Sequence, residues 1–320
     1  MKETRGLTKA PAAAQMFGNA GREHMEKYGS TPEDFAEIGR INHAHSKNNP
    51  YSQFQDEYTL EQILQSPMIH EPLTKLQCCP TSDGSAAAVL VSQAFLDARP
   101  HLKSQAILIA GQSLATDTVE LFNKSAIELV GYGMSSLAAK TALAEAKVDP
   151  KDVKVCELHD CFSANELVTI EALGLAEKGK AHELIRKGGI TYGGQVVINP
   201  SGGLISKGHP LGATGLAQCA ELVWHMRGWA NNRSVPDTKV ALQHNLGLGG
   251  AVVVTVYKRA DGSAARDLSD EEVARVTGLG YNPAVEAKGF TKAQVDAVRS
   301  KKARSAWALQ DTEAKVAARF

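Results

Sequence analysis

Asn199-Pro-Ser-Gly-Gly-Leu-Ile-Ser-Lys-Gly-His-Pro-Leu-Gly-Ala-Thr-Gly215 carries five glycines and one histidine into the start of a helix expected over 211–227. Glycine lets backbone approach backbone or a ligand closely. His209, between Gly208 and Pro210, stands where an imidazole can donate to a developing oxyanion or take a proton from a thiol. The bland reading is a glycine-rich loop with an exposed histidine, and the length and glycine density argue against it. A nucleotide-phosphate cradle is excluded by spacing, since this stretch holds neither GxxxxGK[ST] nor GxGxxG.

Two further clusters lie at the ends of expected strands. Glu157-Leu-His-Asp-Cys-Phe162 follows a strand expected over 153–158. It precedes Ser163-Ala-Asn-Glu166, which reads as a capping box opening a helix to about Gly174. A thiol at that helix start feels the positive end of the dipole, so the Cys161 pKa is expected to fall toward neutrality, with His159 two residues away. A buried structural cysteine and a satisfied core histidine remain the alternative. Gln243-His-Asn-Leu-Gly-Leu-Gly-Gly250 lies between strands expected over 240–243 and 252–257. Its backbone N–H groups could form a nest for negative charge, or simply a tight hairpin turn.

Elsewhere Ala106-Ile-Leu-Ile-Ala110 reads as a strand without a polar face, and Asp83–Val91 as a small-residue turn running into a buried strand or helix start. Met134–Ala146 reads as a helix that ends before Pro150. Alternating strands and helices make the class α/β. Residues 1–75 are polar and mixed, with helical periodicity at 32–42 and 60–64, and read as an excursion from a larger body. Residues 261–320 read as a charged, solvent-facing tail with capping boxes at Ser269 and Thr291.

Hydrophobic residues are 43% and charged residues 22% of the 320, the balance of a globular chain. Lys plus Arg and Asp plus Glu are 35 each, so no net field is available for a nucleic acid. No apolar run is long enough for a transmembrane span, and the N-terminus has no secretory signal pattern. Five cysteines without disulfide rhythm indicate a reducing compartment, and no metal-ligand spacing occurs.

Together these stretches resemble the thiolase superfamily, specifically its sterol carrier protein X type. Asn199–Gly215 is similar to the thiolase C-terminal signature, and His159-Asp-Cys-Phe162 to the sterol-carrier variant of a segment that is Asn-Glu-Ala-Phe in most thiolases. His24-Met-Glu-Lys-Tyr-Gly29 and Cys78-Cys-Pro-Thr-Ser-Asp-Gly84 extend the resemblance, which runs from about Ala14 to Tyr257. It implies a layered fold of two similar α/β halves with an inserted loop domain. This chain would hold part of the loop domain (1–75), a remnant of the first half (76–103) and a complete second half (104–260). No sterol-carrier lipid-binding domain is recognisable in 261–320.

The resemblance also implies roles. His209 would activate the acyl-accepting cysteine, His159 would lie in the same oxyanion site, and Cys161 would be the second acid/base. Met16 and Cys79 would lie near the pantetheine arm of coenzyme A, and Asn245, Gly247, Gly249 and Gly250 would line the substrate. Coenzyme A enters as substrate, with no further cofactor, and the family implies 3-oxoacyl-CoA thiolysis, a homodimer of the full-length protein and a peroxisomal location. The final Ala318-Arg-Phe320 resembles the Ser-Lys-Leu address, departing from it at the last residue. The family's asparagine-rich nucleophile segment has no counterpart in these residues. A truncated coding sequence, a short form and a non-catalytic acyl-CoA or lipid-binding relative all remain open.

Overall fold

The computed structural model describes residues 5–248 and 250–300. They fall into two units, the first ending at Glu286 and the second starting at Ala287. The second contributes one described helix, Lys292–Arg299, opened by reciprocal hydrogen bonds between Thr291 and Gln294.

Two helices begin the first unit, α1 (Ala12–Tyr28) and α2 (Pro32–Ser46). The sequence gives no helical signal over α1, because two glycines interrupt it. Each is there for space: a Cβ on Gly18 would lie 2.7 Å from the His70 ring, and one on Gly21 would lie 3.2 Å from Ala164. Phe17, Phe35, Ile38 and Ile41 of these helices are fully buried in the main core. The N-terminal region therefore has no core of its own and packs onto the larger body. A short two-stranded pair, β1 (Met68–His70) and β2 (Leu73–Thr74), follows.

The body is a five-stranded sheet in the order β3-β7-β6-β4-β5. Its strands are β3 (Ile107–Thr116), β4 (Val155–Glu157), β5 (Val197–Ile198), β6 (Val240–Gly247) and β7 (Ala251–Arg259). β4 runs parallel to β5 and β6, while the β6–β7 hairpin and the β7–β3 pair are antiparallel. Side chains alternate between faces with a period of two. Leu242, Val252, Val254 and Val256 join helices α3 (Tyr132–Ala146) and α4 (Ser163–Ala172) in one core. Ala241 and Tyr257 pack against Leu222 and Met226 of α6 (Thr214–Arg227) in another. The short helix α5 (Gly203–Lys207) precedes α6. At Gly111 a bulge in β3 meets α3 so closely that a Cβ would lie 2.2 Å from the Ala142 carbonyl oxygen.

Three expectations are corrected. Ala106–Ala110 begins an edge strand with Leu108 and Ile109 exposed, not a strand buried on both faces. Residues 83–91 form neither a buried strand nor a helix start. They run irregularly, with Val89 90% and Leu90 78% exposed, and among the described residues no strand lies beside them. Residues 261–286 are not a solvent-facing tail. Helix α7 (Asp270–Thr277) does carry the expected Ser269–Glu272 capping box, but Val273 and Ala284 are fully buried against Trp229.

Candidate functional site

β4 ends at Glu157, and the next residues are fixed by groups from distant parts of the chain. The Leu158 N–H donates to the Asn199 side-chain oxygen at 2.9 Å. The His159 N–H faces Nδ1 of buried His244 at 3.4 Å. Since that nitrogen accepts, the His244 ring proton belongs on Nε2, which lies 3.0 Å from the Ser135 hydroxyl. The His159 ring meets the His209 ring edge-on, centroids 4.8 Å apart and planes at 88°. His159 is 5% exposed, and its Nδ1 has no hydrogen-bond partner. A buried imidazole nitrogen left free is costly unless a ligand uses the ring.

His209 is held at both ends. Its N–H donates to the Ser82 hydroxyl at 3.1 Å, and Ser82 donates to the Gln53 side chain. Nδ1 lies 2.7 Å from the Thr214 hydroxyl, which in turn donates to the Pro210 carbonyl at 3.1 Å. With the threonine proton so engaged, Nδ1 carries the ring proton and Nε2 is left as a bare acceptor. Burial, and then the Lys207 charge, hold the His209 pKa down to about 4. Burial, aided by His209 and His244, puts that of His159 well below its usual value. Both rings are neutral at pH 7, the state in which one can accept a proton and the other donate a hydrogen bond.

The glycine pair of the 199–215 loop is a consequence of packing. Gly202 and Gly203 both have positive φ, at 96° and 60°. A Cβ on the first would lie 2.5 Å from that of Ser46, and one on the second would overlap the Asp160 carboxylate. Asn199 is itself left-handed, at φ 50°, and its side chain holds that conformation by accepting from Leu158 and donating to Glu166. His43 and His45 of α2 brace the loop from outside, through the Ser206 hydroxyl and the Asn199 carbonyl.

Cys161 departs from expectation. Ser163 is not a cap: its hydroxyl donates to the Gln77 side chain, and Glu166 is hydrogen-bonded to Asn42 and Asn199. The thiol pKa does not fall. Burial, and then Cys79 and Asp160, push it well above the usual value. Desolvation outweighs the short reach of the helix dipole.

Cys79 adjoins Cys161, its N–H donating to the Cys161 carbonyl at 2.9 Å, and burial pushes its thiol up to about 12. Met16 is half-buried beside Phe17, whose ring stacks on that of Phe162. Asn245 donates to the Gln218 side chain at 3.0 Å and touches Gly215. Gly247 and Gly250 form the β6–β7 turn, with Ala251 and Asp117 as their close neighbours, and Gly249 lies outside the described residues. The structure thus brings the His159 and His209 rings together, with Cys161 two residues along the chain and Cys79 hydrogen-bonded to it, while Asn245 faces α6. His244, Thr214 and Ser82 lie within the motifs read from the sequence but carry no assigned role there. Asn42 lies outside them, in the polar run Asn42-His-Ala-His-Ser46 on one helix. Among the described residues, no cluster of three His, Cys, Asp or Glu could hold a metal, and no helix is long and apolar enough to cross a membrane.

Residues 119–259 match the family described as "Thiolase C-terminal domain-like". Sterol carrier protein 2 of Bos taurus is 60% identical over 262 residues, covering 82% of this chain and 48% of that protein. An acetyl-CoA acetyltransferase of Methanothermobacter thermautotrophicus is 37% identical over 249 residues, covering 76% of this chain and 63% of that protein. The chain therefore spans about half the length of its mammalian relative. Among solved structures, an "Ltp2-ChsH2(DUF35) aldolase" superposes with a TM-score of 0.68 at 25% identity, over 81% of this chain and 71% of that one.

Proposed function

We propose, for a chain that belongs to the thiolase superfamily, that its site serves the carbon–carbon chemistry of 3-oxoacyl-CoA thiolysis. Met16 and Cys79 would border the pantetheine arm, and no cofactor beyond coenzyme A would be needed. The observation that carries the reading is the edge-to-face pair His159 and His209 beside Cys161. Thiolysis cleaves the bond between the α and β carbons of a 3-oxoacyl thioester. It needs donors at the thioester oxygen, where enolate charge develops, and a proton for the α-carbon that leaves. His159 would donate to the oxygen. The Cys161 thiol, held protonated, would deliver the proton. His209, with Nε2 free, would take the proton of an attacking thiol.

The acyl-accepting nucleophile is not apparent among the described residues. Cys78, Cys79, Cys156 and Cys161 all have thiols pushed up by burial, where a nucleophilic cysteine needs the opposite shift, and Cys219, the fifth, lies on α6 against the second core. We therefore expect the 320-residue chain alone to bind acyl-CoA without enzyme-like turnover. It should also associate, because Val89, Leu114, Val119 and Phe122 are each more than 60% exposed. Acetoacetyl-CoA cleavage and gel-filtration size test this together. Rapid cleavage by a sharp monomer would refute it. The same raised thiols favour the second reading, a non-catalytic acyl-CoA or lipid-binding relative. Failure to cleave after a first-half segment with an acyl-accepting cysteine is joined to the chain would select that reading.

The proposal extends to a peroxisomal site of action and a homodimer of the longer protein. The terminal Ala318-Arg-Phe320 lies outside the described residues. The last dozen residues fused to a fluorescent protein should give punctate peroxisomal signal, and a diffuse signal would count against the address.

A further inference from the structure

Asp160 stands between His159 and Cys161 in the chain, yet its carboxylate is engaged with a different element. One oxygen accepts from the Leu204 N–H at 2.7 Å. The other accepts from the Ile205 N–H at 3.2 Å and the Asn42 side chain at 3.0 Å. Leu204 and Ile205 lie in α5, which runs directly into Gly208 and His209. Gly203 has no room for a side chain because this carboxylate fills the space. Asp160 is fully buried, so no water competes for these bonds.

We propose that Asp160 is the positioning residue of the site: its carboxylate ties the His159–Cys161 segment to the loop carrying His209 and sets a negative charge behind the Cys79 and Cys161 sulfurs. The tie fixes the relative position of the two segments that contribute to the site. The charge opposes a thiolate at Cys161 and so favours the proton that this residue would donate. That catalytic benefit rests on the function proposed above, while the tie and the charge do not.

The titratable groups around Asp160 come from every element packed on it. Glu157 and Cys161 are on its own segment, Glu166 on α4, Lys207 on α5 and Cys79 on the facing segment, while α2 supplies the amide of Asn42 and, against the 199–215 loop, His43 and His45, whose pKa values burial lowers. Burial raises the Asp160 carboxyl to about 7, against the lowering effect of the Leu204 and Ile205 N–H groups. It is therefore ionised at pH 8 and above.

Asp160→Asn keeps the shape and removes the charge. Iodoacetamide alkylation of the full chain at pH 8, resolved by mass spectrometry, should be about tenfold faster at Cys79, whose sulfur is partly accessible where that of Cys161 is buried. Cys78, also partly accessible, should keep its rate. Equal acceleration at both cysteines, or none at Cys79, would overturn the assigned charge. A second measurement needs no variant. The amide-proton NMR shifts of Leu204 and Ile205 in the wild-type chain should both lie downfield, as donors to a carboxylate do, and should move together as that carboxyl is titrated. Upfield amides, or amides that move apart, would overturn the tie. Neither experiment depends on turnover, so a failed thiolase assay leaves both interpretable.

Discussion

Arg233→Ala is expected to destabilise the chain by about 3–5 kcal/mol, the cost of leaving a buried charge without its partner. Both side chains of the pair are nearly inaccessible, at 1% for Arg233 and 2% for Glu221. The guanidinium grips the carboxylate with two nitrogens, at 2.7 and 2.8 Å. It also donates to the carbonyls of Ala284 at 2.8 Å and Asn48 at 3.3 Å. One side chain thus joins α6, the segment after α2 and the segment after α7. Urea unfolding monitored by tryptophan fluorescence would measure the loss. A change below about 1 kcal/mol would mean that the pair is dispensable. Replacing Arg233 and Glu221 together by apolar residues should recover much of it, because no bare charge then remains.

The same pair sets an acid limb. Despite burial, Arg233 holds the Glu221 carboxyl well below the usual carboxylate range, with His225 adding to the effect. A depressed folded-state pKa stabilises above the unfolded value near 4.5 and loses that contribution as pH falls. Wild type should therefore lose stability in strong acid more steeply than the double apolar variant.

Cys161→Ala is expected to lower acetoacetyl-CoA cleavage by roughly 10²–10⁴-fold, the usual consequence of losing a general acid/base. The measurement applies to a turnover-competent form, with a first-half segment joined to the chain. The control is Cys156→Ala. Cys156 is also fully buried, but it lies within β4 and packs in the main core. Its replacement should reduce stability and leave the cleavage rate per folded molecule close to wild type. Loss of cleavage in the Cys156 variant, with retention in the Cys161 variant, would reverse the assignment. In the cleavage direction Cys161 would act as an acid under the proposed function, so activity should persist to alkaline pH and decline as the thiol ionises.

The hairpin of β6 and β7 was legible because short, nearly continuous apolar runs flank a glycine-rich turn, and both are local properties. The closeness of the 199–215 loop to something was legible from Gly202 and Gly203. What it approaches was not, because Ser46 and Asp160 lie about 155 and 40 residues away. Cys161 was misread for a related reason. Its local pattern implies a helix start that lowers the pKa, whereas the opposing desolvation comes from neighbours such as Cys79 that only the fold assembles. Ser163 and Glu166 have the residue types of a cap. Tertiary partners, Gln77 for one and Asn42 with Asn199 for the other, take their hydrogen-bonding groups elsewhere. Arg233 gave no signal at all, since an arginine in a polar loop is ordinarily solvated.

β3 pairs along its whole length with β7, from Ile107 opposite Arg259 to Thr116 opposite Ala251. During synthesis on a ribosome that partner emerges last of the sheet strands, 135 residues after β3 ends. At typical translation speeds the delay is on the order of 10 s. Throughout it, Leu108, Ile109 and Leu114 stand on an unpaired strand, and only the last-made hairpin can close the sheet. A nascent chain of this kind is a natural client for chaperones that shield apolar segments. Its yield in a host should depend on how fast the final third is translated as much as on the stability of the finished fold.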